Sequence, residues 1–171
     1  AVEMRPELER LEVQYAGESE RVRDLGVMKA LGLLFESGAD VFDFYLHRFR
    51  AIRDSRLLGN GASARREIGL MRDVVRNEMR VTSDMLPLAK ADSRIGFHSE
   101  AESHQFHPAK LVWRRTDLER TMADLDGIDR TLSAGGIYPL SAHEKSVSVL
   151  RCGVWTDVTR ICRLVTHMDS Q

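Results

Sequence analysis

"LGVMKALGLLFESGADVFDFYLHRF", Leu25 to Phe49, decides the fold class. Leu25, Met28, Gly32, Phe35, Ala39, Phe42, Leu46 and Phe49 follow one another in alternating steps of three and four. Side chains at that spacing stand above one another on an α-helix, so all eight share one face. The pattern predicts one long helix from about 20 to 54, with Ser19 placed to cap its start. Asp54-Ser55 and Gly59-Asn60-Gly61 mark its stop. Gly26, Gly32 and Gly38 each weaken such a helix by about 1 kcal/mol against alanine. They are tolerated where another backbone packs close, and Ser37-Gly38 is the natural place for a bend. The heptad-like steps leave two destinations open: the stripe packs within the chain, or it packs against a second copy.

Outward from this stretch, more helices follow. Pro6 sits at a first-turn position and, with Leu8, Leu11 and Tyr15, predicts a short leading helix. "GNGAS" is a loop, and Ser63 is a candidate N-cap for the next helix. Ile68, Met71, Val75, Thr82 and Met85 form a second stripe, which predicts a helix from about 64 to 86. Pro87 is expected to end or kink it, because proline lacks the amide donor and clashes with the preceding turn. Pro108 opens a third helix, from about 108 to 126, on the stripe Leu111, Leu118, Met122 and Leu125. Two continuations stay open: Gly127 ends or loosens it, or Ile128 and Leu132 carry it on. "SAGGIYP" is a loop. Near the end, "KSVSVLRC" alternates and "TRICRLVTH" is rich in β-branched residues, so both read as strands. The fold class expected is mainly α: a three-helix or four-helix bundle over 1–140, with a small β-like tail over 141–171. That tail is the size of the start of a truncated β-domain.

Composition narrows the function classes. The 171 residues are 43% hydrophobic and 30% charged, an ordinary globular mix. With 25 basic and 26 acidic residues the formal net charge is −1. Neither sign has an excess to offer a polyanion, so nucleic acid is not an expected partner. No apolar run reaches the roughly 18–20 residues of a membrane helix, so a membrane is not expected either. The chain opens without an initiator methionine, as a processed product or an excised part of a longer protein does. Cys152 and Cys162 are too few for a disulfide scaffold and wrongly spaced for a zinc knuckle.

The polar residues concentrate in "DSRIGFHSEAESHQFHPAKLVW", Asp92 to Trp113. If 100–107 is helical, Glu100, His104 and His107 fall on one face and form a candidate metal set. The pattern is not HExxH, however, and no further carboxylate sits at a diagnostic spacing. Glu100 and Glu102 are a candidate acid and base, but two residues apart on a helix they point to different sides. A structural reading covers most of the stretch. Ser99 and Glu102 make a capping box. Asp92 and Arg94 pair across a turn, Gly96 permits a positive φ, and Phe97, Phe106 and Trp113 pin the corner to the core. In that reading the two prolines frame a stiff elbow with its ionic side chains outward. No cofactor is implied.

The segment "MLPLAKADSRIGFHSEAESHQFHPAKLVWR", Met85 to Arg114, resembles part of the helical C-terminal region of large bacterial glycoside-hydrolase-like proteins of the α-glucuronidase type. The shared pattern is carried by Asp92-Ser93-Arg94, Gly96 to Glu102, Pro108, Lys110-Leu111 and Trp113-Arg114. It departs at Ile95 and at Ser103-His104-Gln105. The match covers about a sixth of the chain. The resemblance implies an accessory helical domain bracing a (β/α)8 catalytic barrel that this chain lacks. Asp92, Arg94, His98 and Glu100 would then add to a sugar pocket, and no catalytic residue carries over. The partners implied are that barrel and a carbohydrate. The alternatives are an independent metal-binding bundle and a self-associating structural bundle.

Overall fold

The computed structural model describes residues 4–95 and 106–139. Four helices account for most of them: α1 (Arg5–Gln14), α2 (Ser19–Arg56), α3 (Gly61–Ala91) and α4 (Pro108–Ser133). The mainly helical expectation holds, and α2 lies within two residues of its predicted limits at both ends. It runs unbroken through Ser37 and Gly38. The β-like tail lies outside the described residues, as does the Ser99–Glu102 capping box.

Short connections and paired ends set the topology. A four-residue turn joins α2 to α3, so the two run antiparallel. Gly59 takes φ +61° in that turn, a conformation that a Cβ disfavours. Asn60, rather than Ser63, caps α3: its side chain accepts the Ser63 amide at 3.0 Å. The Ser63 hydroxyl turns back instead to Asp54 at 2.5 Å, tying the turn to the end of α2. At the start of α2 the cap position is Glu18, without a side-chain cap bond, so Ser19 does not play the expected part.

α3 continues through Pro87 to Ala91, five residues past its expected end. The bond lost at proline is the one to the Ser83 carbonyl, and both residues are exposed, so the loss falls on the solvent side of α3, away from the core. Met85 and Ala89 on the other side remain buried and hold the last turns to the core. α4 likewise passes Gly127 to Ser133, because Ile128 and Leu132 are buried. Packing decides both extensions against local propensity.

α3 is the central rod, with α2 and α4 packed along it and α1 lying on α2. Two apolar clusters fill the bundle. One joins Phe44 and Ala51 to Ile68, Met71, Leu125 and Leu132 near the α2–α3 turn. The other joins Ala30 and Leu33 to Val81, Met85, Phe106 and Leu111 at the opposite end. The second and third stripes therefore face inward as expected. Each large side chain fully buried in them stabilises the fold by roughly 1.5–3 kcal/mol. Tyr138, beyond α4, is fully buried in the first cluster. Its amide donates to Ser55 Oγ at 2.8 Å, and its carbonyl accepts from Arg56 Nε at 2.8 Å. The loop read from "SAGGIYP" is thus sealed onto the end of α2.

Candidate functional site

The long stripe that identified α2 is largely exposed. Met28 is 40% exposed, Phe35 62%, Phe42 59%, Leu46 44% and Phe49 49%. Ala39 is exposed as well, and Leu25 and Gly32 are half-buried. α2 meets the core through the opposite side: Ala30, Leu33, Ser37, Val41, Phe44, Arg48 and Ala51. Leu31, at 40% exposure, extends the same outer face. Among the described residues, Gly32 and Gly38 have no neighbouring atom within 4 Å of where a Cβ would stand, so no packing among those residues calls for them. Such a face is larger than the scattered apolar residues normal on a protein surface.

Behind this face, between the two apolar clusters, lies a buried polar layer drawn from three helices. Ser37 and Asp40 come from α2, Asn77 and Glu78 from α3, and Arg114 from α4. Arg114 Nη2 stands 2.6 Å from Glu78 Oε1 and donates to Ser37 Oγ at 3.0 Å. Ser37 Oγ donates in turn to Glu78 Oε1 at 3.2 Å. Asn77 Nδ2 donates to Asp40 Oδ2 at 2.8 Å. Arg80 pairs with Glu36, which Arg5 of α1 also reaches at 3.1 Å. The chain thus links all four helices through ionic groups at one level.

Burial pushes the Glu78 carboxyl up to about 7, against the pull of Arg114 and with the push of neighbouring Asp40. Asp40 is also raised, first by burial and next by Glu36, although Asn77 and Arg80 oppose the shift. Two carboxyls this close share the field of one another, and a proton held on Glu78 relieves the repulsion. Glu78 Oε2 is buried without a hydrogen-bond partner when the group is taken as a carboxylate, which fits a protonated acid better. Sequence reasoning passed over this residue. The signal was the gap in the second stripe between Val75 and Thr82, where an acid occupies a core position.

The polar corner is placed in part. Asp92 is buried at the end of α3. It accepts the Arg94 amide at 2.9 Å and the Arg94 guanidinium at 2.6 Å. Those bonds hold its carboxyl below the usual carboxylate range. Arg94 also reaches Asp24 of α2 at 3.3 Å, so the pair read from sequence ties the corner to the neighbouring helix. Asp92 therefore faces inward, unlike the outward-facing elbow expected. Of the three aromatic pins, Phe106 is buried and Trp113 is 46% exposed, so Trp113 does not anchor the core. Its side of α4 faces solvent with Val112 beside it. His98, Glu100, His104, Glu102 and Phe97 lie outside the described residues. His107 caps α4, its Nδ1 accepting the Ala109 amide at 3.3 Å. Among the described residues no group of three His, Cys, Asp or Glu could hold a metal ion. No described helix is long and apolar enough to cross a membrane.

An open cleft of about 280 Å³ runs between α1, α2 and α3, over Leu8, Lys29, Leu33, Glu36 and Leu88. It borders the α2 face on the Gly32 side. Comparison with protein-family models, with curated proteins and with solved structures finds no match for this chain.

Proposed function

We propose that the chain is a helical docking module whose working surface is the outer face of α2. The observation that carries this reading is the row Met28, Phe35, Phe42 and Phe49, seven residues apart and all exposed. A seven-residue repeat matches the geometry by which one helix seats on another. Hydrophobic area of this kind costs free energy in water and returns it on association. The polar layer behind it fixes α2 against α3 and α4, so the face is presented as a rigid rod.

The test is a photocrosslinker, p-benzoylphenylalanine, placed at Phe42 in the protein expressed in cells. An adduct is expected there and none from the same group at Arg66, which is exposed on α3. Absence of an adduct at Phe42 would reject the module.

The same face also supports a second reading, as an accessory helical domain of a glycoside-hydrolase-like enzyme. In it the outer face of α2 seats against the catalytic barrel, and exposed Trp113 and Arg94 stand toward a carbohydrate. Titration calorimetry with acidic and neutral oligosaccharides checks it on the full-length protein. No heat, with no change in hydrogen exchange over 92–104, would remove the carbohydrate.

A further inference from the structure

We infer that the occupant of this face is a second copy of the chain, its α2 running antiparallel about a two-fold axis near Ser37. The inference rests on the docking reading above and specifies the partner. The stripe reads the same in both directions, because its steps of three and four are symmetric about residue 37. An antiparallel copy therefore sets each residue of the seven-spaced row opposite a member of the other row. Phe42 lies over the partner copy's Gly32, Phe35 over its Ala39, Met28 against its Leu46, and Phe49 against its Leu25. Large meets small at the two central layers. A parallel copy in register would instead stack Phe on Phe and leave Gly32 and Ala39 facing their own equivalents, alternating crowding with voids.

Three further observations agree. Gly32 has open space beside it among the described residues of its own chain, and the antiparallel layer fills it with an aromatic ring. Charge is compatible along the flank. Lys29 comes beside the partner copy's Asp43, and Glu36, which approaches its own equivalent, already carries the two arginines Arg5 and Arg80. The area is sufficient as well. Taking about 200 Å² for each large side chain, the six exposed residues from Met28 to Phe49 offer on the order of 600 Å² per copy. The pair would bury about 1,200 Å², the lower bound for a specific interface.

The experiment is sedimentation velocity on the full chain from about 1 to 100 μM, near and above the weaker affinities expected of such an area. A species of twice the 19.4 kDa chain mass is expected. Phe42→Glu should raise the dissociation constant at least about 100-fold while helical circular dichroism and melting are retained, since the residue is exposed. Gly32→Leu should weaken the dimer about tenfold, and adding Phe42→Ala should recover it by exchanging the large and small members of one layer. Direction is read with a spin label on Arg21→Cys, in a chain also carrying Cys152→Ser and Cys162→Ser. Antiparallel helices place the two labels about 50 Å apart at 1.5 Å per residue, and parallel ones far closer. A monomer at the highest concentration, a dimer indifferent to Phe42→Glu, or a short label distance would each overturn the inference. The crosslinked adduct separates the two levels. Two chain masses support the homodimer. A heterologous partner overturns it while leaving the docking module standing, and no adduct removes both.

Discussion

The two faces of α2 invert the usual order. The buried one carries Ser37, Asp40, Arg48, Asp54 and Ser55 among its apolar residues. The exposed one carries three phenylalanines, a methionine and two leucines. Phe44 is 5% exposed, whereas Phe42, two residues before it, is 59% exposed. Polar residues enter the interior because other parts of the chain satisfy them: Ser37 and Asp40 meet side chains of α3 and α4, Asp54 meets Ser63, and Ser55 meets the Tyr138 amide. The aromatic residues of the outer face keep about half or more of their surface exposed. Hydrophobicity alone ranks the faces in the wrong order. What orients the helix is the sum of contacts available to each face, not the transfer free energy of the residues on it.

The largest expected effect tests this inversion directly. Phe44→Ala removes a ring packed in the cluster with Ala51, Ile68 and Leu125 and should cost about 3–5 kcal/mol. Phe42→Ala should cost far less, about 1 kcal/mol or below, in dilute solution, because the side chain is 59% exposed. Urea unfolding of both variants at sub-micromolar concentration makes the comparison. Equal costs, or the reverse order, would mean that α2 is turned about its axis relative to the arrangement described.

A smaller effect belongs to the inner face. Glu78 is raised from an ordinary 4.5 to about 7 in the folded chain. The folded state then holds a proton that the unfolded state releases, so between pH 4.5 and 7 it binds more protons. Stability is fully present below 4.5 and declines as pH rises through about 7. The full swing is on the order of 3 kcal/mol at most. Asp40, raised in the same direction, adds to it. Asp92 and Asp129 are lowered by their arginines and act in the other sense, losing stability only below the usual carboxylate range. Glu78→Gln keeps the shape and a hydrogen-bonding partner for Arg114 without a titrating group. Denaturant unfolding from pH 5 to 8 should fall for the natural chain and be flatter for this variant. An unchanged slope would place the titrating group elsewhere.

Spacing made much of the fold legible. Steps of three and four located α2, α3 and α4, and Pro108 marked the start of α4 correctly. Ends were less legible where packing outvoted a local signal: Pro87 is exposed, so the helix passed it, and Ile128 carried α4 through Gly127. The candidate surface was visible as a stripe, but its destination was not, because a heptad looks the same whether its partner lies in the same chain or another. The polar layer was hidden for a different reason. Ser37, Glu78 and Arg114 are separated by 41 and 36 residues along the chain and become neighbours only when three helices close. Of the polar corner, the Asp92–Arg94 pair was readable because it is local, two residues apart, and the remaining candidates His98, Glu100 and His104 lie outside the described residues.

The smallest effect concerns the glycines, and it sharpens the same contrast. Gly38 sits inside a 38-residue helix with nothing within 4 Å of a Cβ. Gly38→Ala should therefore stabilise the dilute chain by up to about 1 kcal/mol, through backbone entropy and helix propensity. Gly136→Ala is the control in the opposite direction. Its Cβ would stand 2.8 Å from Thr131 Cγ2 and 2.9 Å from the Thr131 carbonyl oxygen, so it should destabilise. Gly38 flanks the stripe one residue from its midpoint, where an antiparallel copy brings the two Gly38 backbones close together. The methyl that helps the single chain should hinder the pair, so a raised melting temperature at low concentration should accompany a weaker dimer at high concentration. A rise in both would show that the glycine serves neither the helix nor the face, and that close approach at the midpoint is not what the stripe is built for.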